Sequence, residues 1–220
     1  ISSQTPAPST GGSAITTISY TNNLDIIVHD DDGFASDTDT LTLGGTDPNG
    51  PATSGNETFL MDLGAAGTVA EPRVTVLDSD SFTALYRLRD YSNFDTLRFA
   101  PGAGDDTLFL NVTDADLSTV DPIYFNGGPG NDTLIIAGTP TSAIDEVIYT
   151  PGSTVDAGTL VYEDAANVAL LTIHFTGLEP VIDLVPATTL TVNGTNADNA
   201  INYIVGDNPA TPLLGGDPSG

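Results

Sequence analysis

Residues 126–138 read Asn-Gly-Gly-Pro-Gly-Asn-Asp-Thr-Leu-Ile-Ile-Ala-Gly, a glycine-rich acidic turn that runs directly into a short apolar strand. Glycine tolerates positive φ, so Gly127-Gly128-Pro129-Gly130-Asn131-Asp132 can turn tightly. Successive carbonyls and the Asp132 carboxylate then converge, and hard oxygen donors of this kind suit Ca²⁺. The same arrangement occurs upstream at 101–110, Pro-Gly-Ala-Gly-Asp-Asp-Thr-Leu-Phe-Leu. Asp106 and Asp132 lie 26 residues apart, and Thr-Leu and an apolar run follow each of them. That spacing corresponds to one coil of a parallel β-helix. A turn-plus-strand unit cannot bury its own apolar face, so repeated units must stack on one another.

The remaining chain consists of short runs rich in Val, Ile, Thr, Tyr and Phe between Gly, Pro, Asp and Asn turn signals. This is the pattern of an all-β protein. Asp-Thr-Leu recurs at 39–41, 95–97, 106–108 and 132–134, usually entering a strand. Strand candidates run from 15–20 and 24–28 at one end to 190–192 and 201–205 at the other. Helix signals are weak: Ala65-Ala66 and Ala165-Ala166 are too short, and Asp114 to Leu117 offers one turn at most. Residues 1–12, rich in Ser, Thr, Pro and Gly, read as a flexible arm or linker. Residues 13–205 read as the β-solenoid domain, and 206–220 as a Gly/Pro/Asp-rich tail or linker. The expected architecture is a right-handed parallel β-helix of roughly seven to nine coils. The irregularity of the repeats keeps a β-sandwich as the alternative.

Charge narrows the range of partners. Against 30 acidic residues stand four basic ones, all Arg (73, 87, 89 and 98), for a net charge of −26. Such a surface repels nucleic acid and anionic membranes. It attracts divalent cations or suits a high-salt medium that screens it. The absence of Cys excludes a disulfide framework, a thiolate metal site and a Cys nucleophile. No run reaches the roughly 18 apolar residues of a membrane span, so no membrane insertion is expected. The chain begins at Ile1 rather than Met, from which a processed or excised product is expected, secreted to the cell surface or beyond it.

The turns at 102–110 and 127–135 resemble the hemolysin-type (RTX) calcium-binding repeat, whose G-G-x-G-x-D half the residues 127–132 match, with Leu134 at its apolar position. The segments Phe175-Thr-Gly-Leu-Glu-Pro180 and Leu190 to Ile201 resemble linking coils of very large bacterial surface proteins that carry such repeats. The resemblance covers Leu97 to Val205, and only the glycine turns are specific. It implies Ca²⁺ between consecutive turns of a parallel β-roll. Asp132, with Gly128, Gly130 and Asn131, would form one half of the site, and Asp106, with Gly102, Gly104 and Asp105, the other. The family repeats its nonapeptide in tandem, whereas the two copies here stand 26 residues apart. The segment at 194–199 has lost its later glycine. These departures point to a wider β-helix with isolated sites or none. A second candidate cation loop runs from His29 to Asp39, with Asp30, Asp32, Asp37 and Asp39 around Gly33. It misses the EF-hand spacing because His29 and Asp31 break the alternation.

β-Helices also host polysaccharide lyases and hydrolases. With no Lys and Arg confined to 73–98, a basic catalytic group is scarce, and Asp105-Asp106 could be an acid pair but reads more simply as solvated carboxylates in a glycine turn. His174 alternates with apolar residues and is expected to face solvent; His29 adjoins the acidic loop. Tyr20, Tyr86, Tyr91, Tyr149, Tyr162 and Tyr203 could line a carbohydrate face or simply pack at a core rim. Asn56, Asn111, Asn131 and Asn193 satisfy the glycosylation rule, as expected by chance in a Thr-rich chain. The expected function is a non-enzymatic, calcium-stabilised structural or adhesive block, and the alternative is a polysaccharide-active enzyme. Solenoid ends expose strand edges, and no capping helix is evident. Head-to-tail self-association is therefore expected, with the 1–12 arm adding a strand to a neighbour. The alternative is a module whose caps come from neighbouring modules of a larger surface protein.

Overall fold

Strict alternation dominates the strands. In Thr107–Asn111, Leu108 and Leu110 are buried while Thr107, Phe109 and Asn111 are half-buried. A side-chain period of two places one set on the core face and the other outward. The computed structural model of the chain describes residues 24–29, 40–45, 55–64, 73–79, 83–92 and 95–195. Those residues form fourteen strands and one 3₁₀ turn, so the chain is all-β, as its sequence predicts. The strands are β1 (Leu24–His29), β2 (Thr40–Gly44), β3 (Glu57–Asp62), β4 (Arg73–Asp78), β5 (Thr83–Ser92), β6 (Thr96–Ala100) and β7 (Thr107–Asn111). They continue as β8 (Ile123–Asn126), β9 (Thr133–Ala137), β10 (Glu146–Pro151), β11 (Gly158–Glu163), β12 (Ala169–Thr176), β13 (Val181–Asp183) and β14 (Thr189–Val192). The 3₁₀ turn, Leu117–Thr119, begins where Asp114 to Leu117 suggested a helical turn.

The strands make two seven-stranded mixed sheets: sheet A in the order β1-β5-β4-β3-β7-β9-β13, and sheet B in the order β14-β10-β11-β12-β8-β6-β2. Four times the chain steps from sheet B to sheet A: β2 to β3, β6 to β7, β8 to β9, and β12 to β13. These steps keep the same order in both sheets and pair parallel throughout. Equivalent residues therefore stack in columns. Leu41, Leu97, Ile123 and Ile173 form one, and Leu43, Phe99, Phe125 and Phe175 a second. Opposite them, Phe59, Leu108 and Leu134 line sheet A beside Met61, Leu110 and Ile136. The two faces meet in one core, with Phe59 edge-on to Phe99 at a centroid distance of 5.5 Å. Because Ile136 is fully buried in a column, Ile136→Val should cost about 0.5–1.5 kcal/mol in a urea titration.

The parallel steps are not the whole fold. Two antiparallel excursions, β3-β4-β5 in sheet A and β10-β11-β12 in sheet B, depart from a uniform parallel coil. The turn between β11 and β12 is short and locally specified. Between β11 and β12 the Asp164 carboxylate accepts hydrogen bonds from the amides of Ala166 and Val168, and Asn167 takes a left-handed φ of 59°. Asn and Asp favour both features. Past β3, sheet A extends through β4, β5 and β1; past β12, sheet B extends through β11, β10 and β14.

Candidate site at the glycine turns

The two glycine turns join β6 to β7 and β8 to β9, and stacking of those steps lays one turn on the other. Gly102, Gly104, Gly128 and Gly130 all take φ between 95° and 154°. A Cβ on Gly128 would be driven into the carbonyl of Gly102, and one on Gly130 into the carbonyl of Gly104. Glycine is thus required twice over, for conformation and for close approach. The Gly104 amide donates to the Pro129 carbonyl at 3.0 Å, tying turn to turn.

Two columns of polar side chains run through these turns. In the outer column the Asp105 amide donates to the Asn56 Oδ1 at 2.7 Å, and the Asn131 amide to the Asp105 Oδ1 at 2.9 Å. In the inner column the direction reverses: the Glu57 amide donates to the Asp106 Oδ1 at 2.6 Å, and the Asp106 amide to the Asp132 Oδ1 at 2.8 Å. The sequence-predicted residues are therefore brought together, but in two roles. Asp105 and Asn131 are exposed, whereas Asp106 and Asp132 are wholly buried. The adjacent pair Asp105-Asp106 is split between surface and interior.

Glu57 was not singled out by sequence and proves to be the third member of the inner column, only 3% exposed. Its signal lay in Asn56-Glu57-Thr58-Phe59, which repeats the acid-Thr-apolar pattern of Asp106-Thr107-Leu108 with Glu in place of Asp. One carboxylate oxygen on each of Glu57, Asp106 and Asp132 is buried and accepts no hydrogen bond from an amide or hydroxyl. Burial pushes the Glu57 carboxyl up to about 8, reinforced by its hydrogen bond to Asp106 and by the charges of Asp106 and Asp78. Burial likewise raises Asp132 to about 6 against the lowering effect of the Asp106 amide, with the charges of Asp106, Glu179 and Asp105 adding to the rise. Asp106 is raised by burial too, although its bonds from Glu57 oppose the shift. Among the described residues, no three carboxylate or imidazole side chains converge as a preformed metal cage. The inner column nevertheless supplies hard carboxylate oxygens, the donor chemistry that Ca²⁺ takes.

The second acidic loop, with Asp30, Asp32, Asp37 and Asp39, lies outside the described residues. On the outer face of sheet B, Arg98 sits 4.8 Å over the ring of Tyr124, which stacks on His174 at 4.5 Å. His174 is half-buried, bonds Thr159 through Nδ1 at 3.1 Å, and is held below its ordinary pKa by burial. Tyr124 was missed in the sequence because its partners come from strands β6 and β12, which only the sheet register places beside it. No family model, curated protein or solved structure matches this chain. What the fold and the site define is a class: an all-β protein of two mixed sheets with a buried carboxylate column at its glycine turns. Among the described residues no helix is long and apolar enough to cross a membrane.

Proposed function

We propose that the chain is a non-enzymatic structural or adhesive building block of an extracellular surface assembly. In this reading its parallel steps form a right-handed β-solenoid, stabilised by Ca²⁺ at the turns and joined end to end with its neighbours. The observation that carries the reading is the inner column, with its three buried carboxylate oxygens that accept no hydrogen bond from an amide or hydroxyl. A buried unpaired carboxylate is costly and must be neutralised by a proton or a cation. Glu57, Asp106 and Asp132 would hold the cation between successive members of the column, while the outer pair Asp105 and Asn131 fixes the turns. Bound there, Ca²⁺ would supply the positive charge that converts repulsion between turns into cohesion. The strongly acidic, Lys-free composition supports a setting rich in divalent ions or salt.

Thermal melting at pH 8.5, where protons no longer neutralise the column, tests the reading. Millimolar Ca²⁺ should raise the melting temperature by roughly 5–10 °C over excess EDTA, the scale of a few kcal/mol for a chain of this size. The gain should shrink at pH 5 and disappear in Asp106→Asn. Equal melting temperatures in Ca²⁺ and EDTA at pH 8.5 would rule the cation out.

A further inference from the structure

Among the described residues, sheet B's extension leaves an apolar face open. Val147, Tyr149, Leu160, Phe175, Leu190 and Val192 line a cavity of about 500 Å³ beside β13. On β14, Leu190 is 66% and Val192 42% exposed. Their sequence setting, Leu190-Thr-Val-Asn-Gly-Thr-Asn196, repeats Leu41-Thr-Leu-Gly-Gly-Thr-Asp47 with four of seven residues identical. Leu43, the counterpart of Val192, is only 4% exposed. The repetition extends backwards along the chain. Ile182-Asp-Leu-Val185 on and after β13 answers Leu24-Asp-Ile-Ile27 on β1, and Ala169-Leu-Leu-Thr-Ile-His-Phe-Thr176 on β12 answers Ala14-Ile-Thr-Thr-Ile-Ser-Tyr-Thr21. Three blocks thus recur in the same order, and the two that can be placed twice fall in the same sheets: β1 and β13 in A, β2 and β14 in B.

β1 and β13 therefore show two sides of one strand type. β1 has β5 on its paired side, and β13 has β9 on its own. A fully paired version would have both neighbours, so the edge of β13, which has no neighbour among the described residues, calls for a strand of the β5 kind. Strand counts agree. Two strands, β11 and β10, separate β12 from β14 in sheet B. Two strands, β5 and β4, separate β1 from β3 in sheet A, and β3 is the strand to which β2 steps. A β5-β4 pair added to β13 would hence cover β11 and β10, and a β3 counterpart would fall opposite β14.

We propose that the open face of β10, β11 and β14 is the seat of a following unit of this same sequence, whose β4–β5 hairpin continues sheet A past β13 and closes the cavity. The stack is then periodic, each unit beginning on the strands that end the one before. Strand edges at the junction are paired rather than exposed, and each unit lends its neighbour core residues, as in solenoid arrays. This deepens the building-block reading and names what the block joins to.

The chain has no Cys, so a single thiol reports on the face. Val192→Cys, already partly exposed, should react rapidly with an aromatic disulfide reagent in the 220-residue protein, whereas Leu43→Cys should react slowly. In a chain that continues after Asn193 with a second copy of residues 45–220, the same Val192→Cys should slow by about 100-fold, the protection expected of a site that reacts only through local opening. An unchanged rate, with the added copy folded by its own melting transition, would overturn the proposal. So would an added copy that stays protease-sensitive. Runs in EDTA and in Ca²⁺ separate the two readings: loss of calcium stabilisation with thiol protection intact would sink only the cation, and the reverse only the junction.

Discussion

Gly128→Ala is expected to lower the melting temperature by roughly 5–20 °C, while Gly44→Ala should leave it within a degree or two. Both glycines sit where a sheet-B strand gives way to the turn that leads to sheet A, so composition and location are matched. Among the described residues Gly44 has only the Ala100 carbonyl near a would-be Cβ, at an ordinary 3.7 Å. Gly128 has a φ of 95° and lies against the Gly102 carbonyl of the turn stacked on it. A side chain there incurs the left-handed penalty of about 1–2 kcal/mol. It also incurs overpacking of about 1–3 kcal/mol, because the obstacle is backbone and has no rotamer to yield. Relief would require moving turn 101–106 away from turn 127–132. That displacement would break the amide bonds from Asp106 to Asp132 and from Asn131 to Asp105. Matched melting curves for the two variants would mean that the turns do not stack closely.

The glycine turns were legible because glycine has few other uses in a Thr-rich β chain, and because Asp106 and Asp132 stand 26 residues apart, each two residues after a glycine and directly before Thr-Leu. The parallel steps that carry those turns followed from the same spacing. The antiparallel hairpins were not legible. Asp164-Ala-Ala-Asn167 looks like a failed helix in isolation, and only the Asp164 bonds to Ala166 and Val168 reveal a hairpin turn. Asp-Thr-Leu was read as one signal although it serves two corners: at 106 and 132 it enters sheet A, and at 39 and 95 it enters sheet B. Glu57 escaped notice for a chemical reason. Its longer side chain breaks the Asp pattern, yet it fills the same place in the column because Gly45 leaves room beside its carboxyl. Burial of Asp106 but not Asp105 follows from the period of two. The residue before a strand's first Thr falls on the core side with Leu108, and the one before it falls outside.

In EDTA, stability is expected to fall as pH rises from about 4 to about 8. The folded chain holds the Glu57 carboxyl at about 8 instead of its ordinary 4.5, and Asp132 at about 6 instead of 3.8, with Asp106 also raised. At these three carboxyls the folded state binds more protons than the unfolded state across this interval, so their contribution to stability declines as pH rises. The contribution is fully present below the ordinary carboxylate values. Part is lost as Asp132 ionises near pH 6, and the remainder as Glu57 ionises near pH 8; above that the curve flattens. One unit of displaced pKa is worth ~1.4 kcal/mol, so about two net units correspond to a fall of roughly 5–10 °C in melting temperature. Relief of the general repulsion among 30 acidic residues has the same sign at low pH, so the local part must be isolated. Glu57→Gln does this: it changes net charge by one, keeps the side-chain volume, and should flatten the curve between pH 6 and 8 while leaving the acid end alone. Millimolar Ca²⁺ should flatten the same alkaline stretch in the wild type, because a cation at the column substitutes for the protons it loses. A melting temperature that climbs from pH 5 to 8, or a Glu57→Gln curve parallel to that of the wild type, would show that the inner column does not hold the turns together.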